Sequence, residues 1–184
     1  MRRINFCIVL DNKDISESKA ISDLKNHFEK NDFLGCIVIF NNGPNSVMTP
    51  KEDYIKLNQI LINGSLSKIY NKFISEYPAD LYVFLDDDTS VTKNYLDELN
   101  SIETTILMPK ISCKGKIHYP FIVRNKVQTI TSGLVISSKV VSKLQNIKSF
   151  VFDERFDLYG VDTAFCYVIN DLELPYKISV SVLS

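Results

Sequence analysis

The sequence carries almost no net charge, and this absence argues against one class of binding protein. Lysine and arginine total 21 and aspartate and glutamate total 22 among 184 residues, so the formal charge is −1. Proteins that bind nucleic acid through electrostatic attraction normally show a basic patch and a high isoelectric point. We therefore expect no nucleic-acid partner.

The cysteine and histidine patterns of a zinc site are also missing. The four cysteines are widely spaced without a CxxC pair, and His27 and His118 do not form an HxxxH pair. Cys7, Cys36 and Cys166 lie inside apolar runs, which is typical of buried free thiols in a reducing compartment. We expect free thiols and no zinc site.

Long apolar segments, linkers and repeats are missing as well. No apolar stretch approaches the roughly 20 residues of a membrane span, and Asp11 and Lys13 end the first apolar run too early for a signal peptide. An apolar content of 45% and a charged content of 23% are those of an ordinary globular domain. We expect one domain over residues 1–184, in the cytoplasm or at the inner face of the membrane.

What the sequence does contain is an alternation of short apolar runs and helical patterns. Continuous apolar runs at 4–10, 36–40 and 81–85 are typical of strands covered on both faces. Segments with apolar residues at helical spacing separate them. This alternation predicts βαβ units and a single α/β domain with a mainly parallel central sheet flanked by helices.

Weaker patterns complete the predicted elements. Apolar spacing predicts a helix over 15–28 with Asp14 or Ser16 as its N-cap. The other predicted helices cover 65–77, 92–99, 139–144 and 161–169. The other predicted strands cover 54–62, 105–108, 128–136 (broken at Ser132-Gly133) and 176–183, with a hairpin near 114–116 and a loop at 152–160.

The acidic turn Asp86-Asp87-Asp88 is the most informative local motif. It directly follows the apolar run 81–85, and ligands of parallel α/β sheets bind beyond the carboxyl ends of the strands. Three adjacent negative charges repel one another unless a cation compensates them, and a hard divalent cation takes carboxylate and diphosphate oxygens as ligands. Alternate residues of an extended segment share a side, so Asp86 and Asp88 are expected to face one ligand while Asp87 points elsewhere.

Two other interpretations of this turn stay open. It is also compatible with a solvated acidic loop in which Thr89 or Ser90 caps the next helix. The pattern D-x-D-x-S after an apolar run further resembles the first motif of haloacid-dehalogenase-type phosphatases, with Asp86 as nucleophile. That motif normally follows the first strand of its domain, whereas here it follows the fourth predicted strand.

Six segments occur along the chain in an informative order. They are INFCIVLDN, CIVIFNNGPN, NGSLSKIYNKFI, FLDDDTSVTKNYLDEL, ITSGLVISSKVV and FDERFDLYGVDTAFCYVI. In this order and spacing they resemble the successive motifs of family 2 glycosyltransferases, including the DxD segment and the late "F-D-E-x-F-x-x-x-G-E-D" segment. The resemblance implies a GT-A fold, with a nucleotide-sugar donor half over 1–110 and an acceptor half over 111–184.

The resemblance also implies roles for individual residues. Asp162 matches the family's general base, Asp88 its ligand for Mn²⁺ or Mg²⁺, and Asp86 its contact with the ribose and diphosphate of the donor. The other donor-binding candidates are Asp87, Asn41, Asn63 and Asn71. The implied activity is a metal-dependent, inverting hexosyl transfer from a UDP- or dTDP-sugar to a hydroxyl of a glycan or lipid-linked acceptor in polysaccharide biosynthesis.

The chain departs from the family pattern near the expected base. Val161 stands where the family has the Glu of its ED pair, and Ala164 replaces a second Asp. Many relatives also continue beyond the position of Ser184 with a metal-binding His and with helices for membrane contact, which implies peripheral membrane association through such residues. A non-catalytic nucleotide-sugar-binding subunit therefore stays open as an alternative.

Overall fold

The computed structural model describes residues 2–30, 34–102 and 105–184. This part of the chain contains ten strands and five α-helices. The strands are β1 (Arg3–Leu10), β2 (Leu34–Asn41), β3 (Ile55–Gln59), β4 (Leu81–Asp86), β5 (Ile106–Cys113), β6 (Lys116–Tyr119), β7 (Phe121–Val123), β8 (Lys126–Gln128), β9 (Leu134–Ser137) and β10 (Tyr176–Leu183). The helices are α1 (Lys19–Phe28), α2 (Leu66–Glu76), α3 (Lys93–Ser101), α4 (Ser138–Lys148) and α5 (Val161–Asp171). None of these helices has the length and apolar character that a membrane span needs.

Eight of the strands form one mixed sheet. Seven of them follow the order β10-β5-β9-β4-β1-β2-β3, and β6 pairs with β5 outside this order. The pairs among β1, β2, β3 and β4 are parallel, and so is the pair of β5 with β10. Strand β9 runs antiparallel to both of its neighbours. The chain leaves β1 toward β2 and β3 and then returns to β4 on the other side of β1. The order therefore reverses between β1 and β4, where ligands of α/β sheets bind.

Apolar layers cover both faces of the sheet because alternate residues of each strand point to opposite sides. In β4, Tyr82 and Phe84 face a layer formed by α2, α4 and α5. Val83 and Leu85 face the other layer, formed by α1 and α3. The mixed α/β domain with a mainly parallel sheet that the sequence predicts is thus confirmed.

The predicted helix over 15–28 is corrected at its start. A short 3₁₀ turn (Ile15–Glu17), capped by Asp14, precedes α1, and the N-cap of α1 is Ser18 rather than Asp14 or Ser16. The Ser18 hydroxyl accepts the backbone N–H of Ile21 at 3.2 Å and donates to the carbonyl of Asp87 at 2.9 Å. A tertiary contact with the acidic turn therefore selects this cap.

Two predicted strands are also corrected. The segment 54–62 is a strand only over Ile55–Gln59. The segment 128–136 contains the end of β8 and most of β9, separated by an irregular bend. The predicted hairpin near 114–116 joins β5 to β6. The strands β7 and β8 pair with each other outside the main sheet.

Candidate functional site

The loops that follow β1, β2 and β3 converge at the carboxyl edge of the sheet. Gly43 lies against Asn12 so closely that a Cβ atom on Gly43 would be 2.5 Å from the Asn12 nitrogen. The buried Asn42 side chain accepts the N–H of Gly64 at 2.7 Å and donates to the Gly64 carbonyl at 3.1 Å. These contacts join three loops into one rim beside the acidic turn.

Ser132, which precedes β9, forms hydrogen bonds with the acidic turn. The backbone N–H of Asp86 lies 3.4 Å from the Ser132 hydroxyl oxygen, and that hydroxyl is also hydrogen-bonded to the hydroxyl of Thr89. The N–H of Thr89 donates to the carbonyl of Asp86 at 3.2 Å. Because Ser132 and Thr89 are both buried, the turn has a defined geometry.

Asp87 contacts the start of α1 through its backbone carbonyl and the loop after β1 through its side chain. Its carbonyl accepts the Ala20 N–H at 3.2 Å in addition to the Ser18 hydroxyl. Its carboxylate accepts from the Lys13 ammonium, with Nζ and Oδ2 2.5 Å apart. That hydrogen bond, together with the negative charge of Asp87, raises the pKa of Lys13. Asp87 therefore links the turn to α1 and to the loop after β1, and its contact with a donor stays a prediction.

Asp88 is exposed, and no residue in the described ranges hydrogen-bonds its carboxylate. Within those same ranges, no three His, Cys, Asp or Glu side chains form a ready cluster of metal ligands. A divalent cation at Asp88 would therefore complete its six or more oxygen ligands with diphosphate and water. The free carboxylate at the end of a central strand suits such a shared site.

Asp162 lies in the first turn of α5, directly behind the acidic turn. The helix begins after Gly160, whose φ of +82° lets the chain enter it sharply. The Asp162 carboxylate is partly buried and accepts the N–H of Thr131 at 3.2 Å. Burial raises the pKa of Asp162, and the hydrogen bonds from Thr131 partly oppose this shift. A carboxyl group with a raised pKa suits proton transfer.

Asp86 and Asp162 approach each other closely enough to interact electrostatically. The pKa of Asp86 is raised to about 6, first by loss of hydration and then by repulsion from Asp162, Asp88 and Asp87. Asp86 nevertheless keeps solvent-exposed surface, so water still screens part of this repulsion. Asp86, Asp87, Asp88 and Asp162 together have an excess of negative charge, which a divalent cation would compensate.

Replacing Asp86 by asparagine is expected to stabilise the ligand-free protein. A folded-state pKa of about 6 lies above the unfolded value of about 3.9, so ionised Asp86 destabilises the fold above pH 6. After allowance for solvent screening, the gain at pH 7 is about 1 kcal/mol, or roughly 2–4 °C in Tm. Thermal denaturation at several pH values checks this, because the difference must vanish below about pH 4, where Asp86 is neutral in both states.

The three asparagines predicted to bind the donor occupy different places. Asn41 is buried at the end of β2, where its amide donates to the Asn45 carbonyl and to the Gln59 side chain, both at 2.7 Å. Asn63 is exposed on the rim, and its side-chain oxygen lies 3.5 Å from the amide nitrogen of Asn42. Asn41 thus shapes the turn after β2, and Asn63 is free to face a ligand. Donor contacts of both stay predictions.

The Asn71 side chain is hydrogen-bonded to the segment around Phe152 and makes no hydrogen bond with the acidic turn in the described residues. From the middle of α2 its side chain accepts the N–H of Phe152 at 3.0 Å and donates to the Phe152 carbonyl at 2.7 Å. It also donates to Glu154 at 3.0 Å. Asn71 therefore fastens the 152–160 loop to α2, and a donor contact, which stays a prediction, would have to break these bonds.

Sequence reasoning did not select Lys13 or Thr131, which the structure brings to the site. Lys13 follows the end of β1 on one side of the switch point, so its position could have been found from the strand order. Thr131 carries no local signal, because its contact with Asp162 joins residues 31 positions apart.

Two cavities lie near this edge of the molecule. One of about 180 Å³ is lined by the loops after β1 and β2, including Asn12, Lys13 and Asn45. A larger one of about 590 Å³ lies between α1 and the 48–52 segment. Neither cavity is lined by Asp86, Asp87, Asp88 or Asp162. The acidic turn is the candidate site because Asp86, Asp87, Asp88 and Asp162 interact electrostatically there.

Comparisons with known proteins show the fold. No protein-family model matches the sequence, and no curated protein matches it. A structure of S. aureus TarS matches 98% of this chain and 36% of its own, with a TM-score of 0.60 and 17% identity. A structure of S. aureus TarS 1–349 matches 98% of this chain and 59% of its own, with a TM-score of 0.61 and 13% identity. The chain thus has a GT-A-like fold and spans about a third to three fifths of the length of these chains.

Proposed function

We propose that this domain is a glycosyltransferase that uses a nucleotide-sugar donor and Mn²⁺ or Mg²⁺. The observation that carries the proposal is the group of Asp86, Asp88 and Asp162 at the carboxyl edge of a GT-A-like sheet, beside the switch point between β1 and β4. The order of sequence motifs supports the same activity independently of this geometry. Together they favour sugar transfer from a UDP- or dTDP-sugar to a hydroxyl of a glycan or lipid-linked acceptor.

The proposed mechanism assigns a separate task to each carboxylate. Asp88 would hold the metal ion, which stabilises the negative charge of the departing nucleoside diphosphate. Asp86 would contact the ribose and diphosphate of the donor. Asp162 would accept the proton of the acceptor hydroxyl as that oxygen attacks the sugar carbon, which gives an inverting transfer. The raised pKa of Asp162 makes it a better proton acceptor than an ordinary carboxylate, as long as it is ionised.

The two departures from the family pattern do not remove this base. Val161 and Ala164 are both buried, and the Val161 side chain packs in the layer formed by α2, α4 and α5. Residues at these two positions serve core packing here, while Asp162 between them faces the acidic turn. The non-catalytic alternative therefore depends on whether Asp162 alone suffices.

The phosphohydrolase alternative has less support. Asp86 ends β4, a central strand reached only after three other strands, whereas a nucleophilic Asp of that kind follows the first strand.

Nucleotide binding should stabilise the protein only when metal and Asp88 are both present. We expect one of UDP, dTDP or GDP with Mn²⁺ to raise Tm by roughly 5–10 °C at about a hundredfold excess over Kd. The shift should disappear without Mn²⁺ and in Asp88→Ala. Differential scanning fluorimetry measures it, with Asp97→Ala as matched control, because Asp97 makes an exposed ion pair on α3 outside the acidic turn. A Tm that no nucleotide changes would contradict the proposal.

A further inference from the structure

Thr131 lies between the proposed base and a buried tyrosine. Its N–H donates to Asp162 Oδ1 at 3.2 Å, and its hydroxyl oxygen is 3.4 Å from the hydroxyl oxygen of Tyr70. Thr131 and Tyr70 are only 7% and 5% exposed, so bulk water does not replace these partners. We propose that Tyr70 and Thr131 form a hydrogen-bonded chain that orients the Asp162 carboxylate, which makes both positioning residues for proton transfer. The inference rests on the proposed role of Asp162.

The direction of the chain follows from the chemistry of its members. Burial raises the pKa of Tyr70, so its hydroxyl keeps its proton and can donate to the Thr131 oxygen. The Thr131 hydroxyl then keeps its own hydrogen for the Asp162 carboxylate, whose charged form it favours. In the proposed arrangement, the Thr131 N–H is one donor to Asp162 and the Thr131 hydroxyl is the second. Two donors from one residue restrict the rotation of the carboxylate.

Tyr70 is a rigid support for this chain. Its ring packs against Phe84 of β4 and Phe152 of the 152–160 loop, with both pairs of ring centroids 5.1 Å apart. Such aromatic packing fixes the ring and leaves the hydroxyl little freedom to point elsewhere. The oxygen of Tyr70 is therefore presented to Thr131 by the core itself, and it does not depend on a mobile surface group.

Three ionisable groups that interact electrostatically with Asp162 are Asp86 from β4, Tyr70 from α2 and Cys166 from the next turn of α5. Burial raises the pKa of Cys166 to about 11, so the thiol is neutral. Among these three, only Asp86 adds charge beside Asp162, and its charge opposes ionisation of Asp162. The donors from Thr131 are the contacts that favour the ionised form.

The test is an NMR titration of the Asp162 side-chain carboxyl in the full chain, assigned by its absence in Asp162→Asn. In Thr131→Val, which keeps the backbone N–H but lacks the hydroxyl, we expect the midpoint to move to higher pH. Thr131→Ser restores a hydroxyl and should return the midpoint toward the wild-type value. Tyr70→Phe, which keeps the ring, should shift the midpoint in the same direction by a smaller amount.

Thr129→Val is the matched control. Thr129 lies two residues earlier and is 4% exposed, and among the described residues its hydroxyl bonds only the neighbouring carbonyl of Ile130, at 3.4 Å. The same substitution there removes a buried hydroxyl without touching Asp162, so the Asp162 midpoint should stay at the wild-type value.

Unchanged Asp162 midpoints in both Thr131→Val and Tyr70→Phe would overturn the inference of a hydrogen-bonded chain. A shift in Thr129→Val equal to that in Thr131→Val would overturn it as well. If Thr131→Val does not fold, Tyr70→Phe decides alone. The titration needs no turnover. If NMR confirms the hydrogen-bonded chain in a protein that transfers no sugar, the proposed function has failed and the inference about Tyr70 and Thr131 has not. In an active enzyme, the acidic limb of kcat/KM should move with the midpoint.

Discussion

Asp162→Asn is expected to lower sugar transfer by about 10²–10⁴-fold while leaving metal-dependent nucleotide binding intact. Asparagine has the shape of aspartate and can still accept the Thr131 N–H, so the start of α5 should keep its structure. It cannot take a proton from an acceptor hydroxyl. Asp88, which would hold the metal ion, is unchanged. Transfer rates and nucleotide-induced Tm shifts, measured on one preparation, separate the two effects.

The same helix provides the control for this variant. Asp171→Asn removes a carboxylate at the opposite end of α5, where it makes an exposed ion pair with Lys126. Exposed pairs contribute little, so this variant should keep the wild-type rate. If Asp162→Asn keeps more than about a tenth of the wild-type rate, Asp162 is not the base. If neither form transfers sugar but both bind nucleotide, the non-catalytic subunit is the better description.

The pH profile of the wild type carries a related expectation. The base acts only when ionised, and burial raises its pKa. The rate should therefore fall as the pH drops through a midpoint above that of an ordinary carboxyl group. An acidic limb at the usual position of aspartate would contradict the environment described for Asp162.

Gly133→Ala is expected to cause the largest loss of stability, about 3 kcal/mol, or roughly 6–12 °C in Tm. Gly133 has a φ of +78°, where an alanine is strained. A Cβ atom there would overlap the Leu183 side chain and lie 2.9 Å from the Pro109 Cβ. Leu183 is fully buried and has no space to retreat. Thermal and urea denaturation measure the loss.

Gly115→Ala separates the two causes of this loss. Gly115 has a similar φ of +75° in the turn between β5 and β6, but nothing lies within 4 Å of a Cβ atom there. Only the backbone strain remains, so the cost should be about 1–2 kcal/mol. Equal losses in the two variants would show that Gly133 is required for its backbone conformation and not for the close packing of β9 against β5 and β10.

The strands of the donor half could be predicted because they are continuous apolar runs. The segments 4–10, 36–40 and 81–85 coincide with β1, β2 and β4, each buried on both faces. The short strand β7 was missed because all of its residues are exposed, so no apolar alternation marks it. The start of α1 was misplaced because a contact with Asp87, 69 residues away, selects its cap.

The sequence by itself determined the α/β class, most of the core strands and helices, and the acidic turn at the end of a central strand. Local apolar periodicity and residue chemistry encode these features. Only the tertiary structure decided that Asp162 lies beside Asp86, that Lys13 reaches Asp87, and that Tyr70 and Thr131 meet behind the base. The hydrogen bonds among these residues join positions 31, 61 and 74 apart along the chain. Strand order and helix packing bring such pairs together, and no local pattern contains that information.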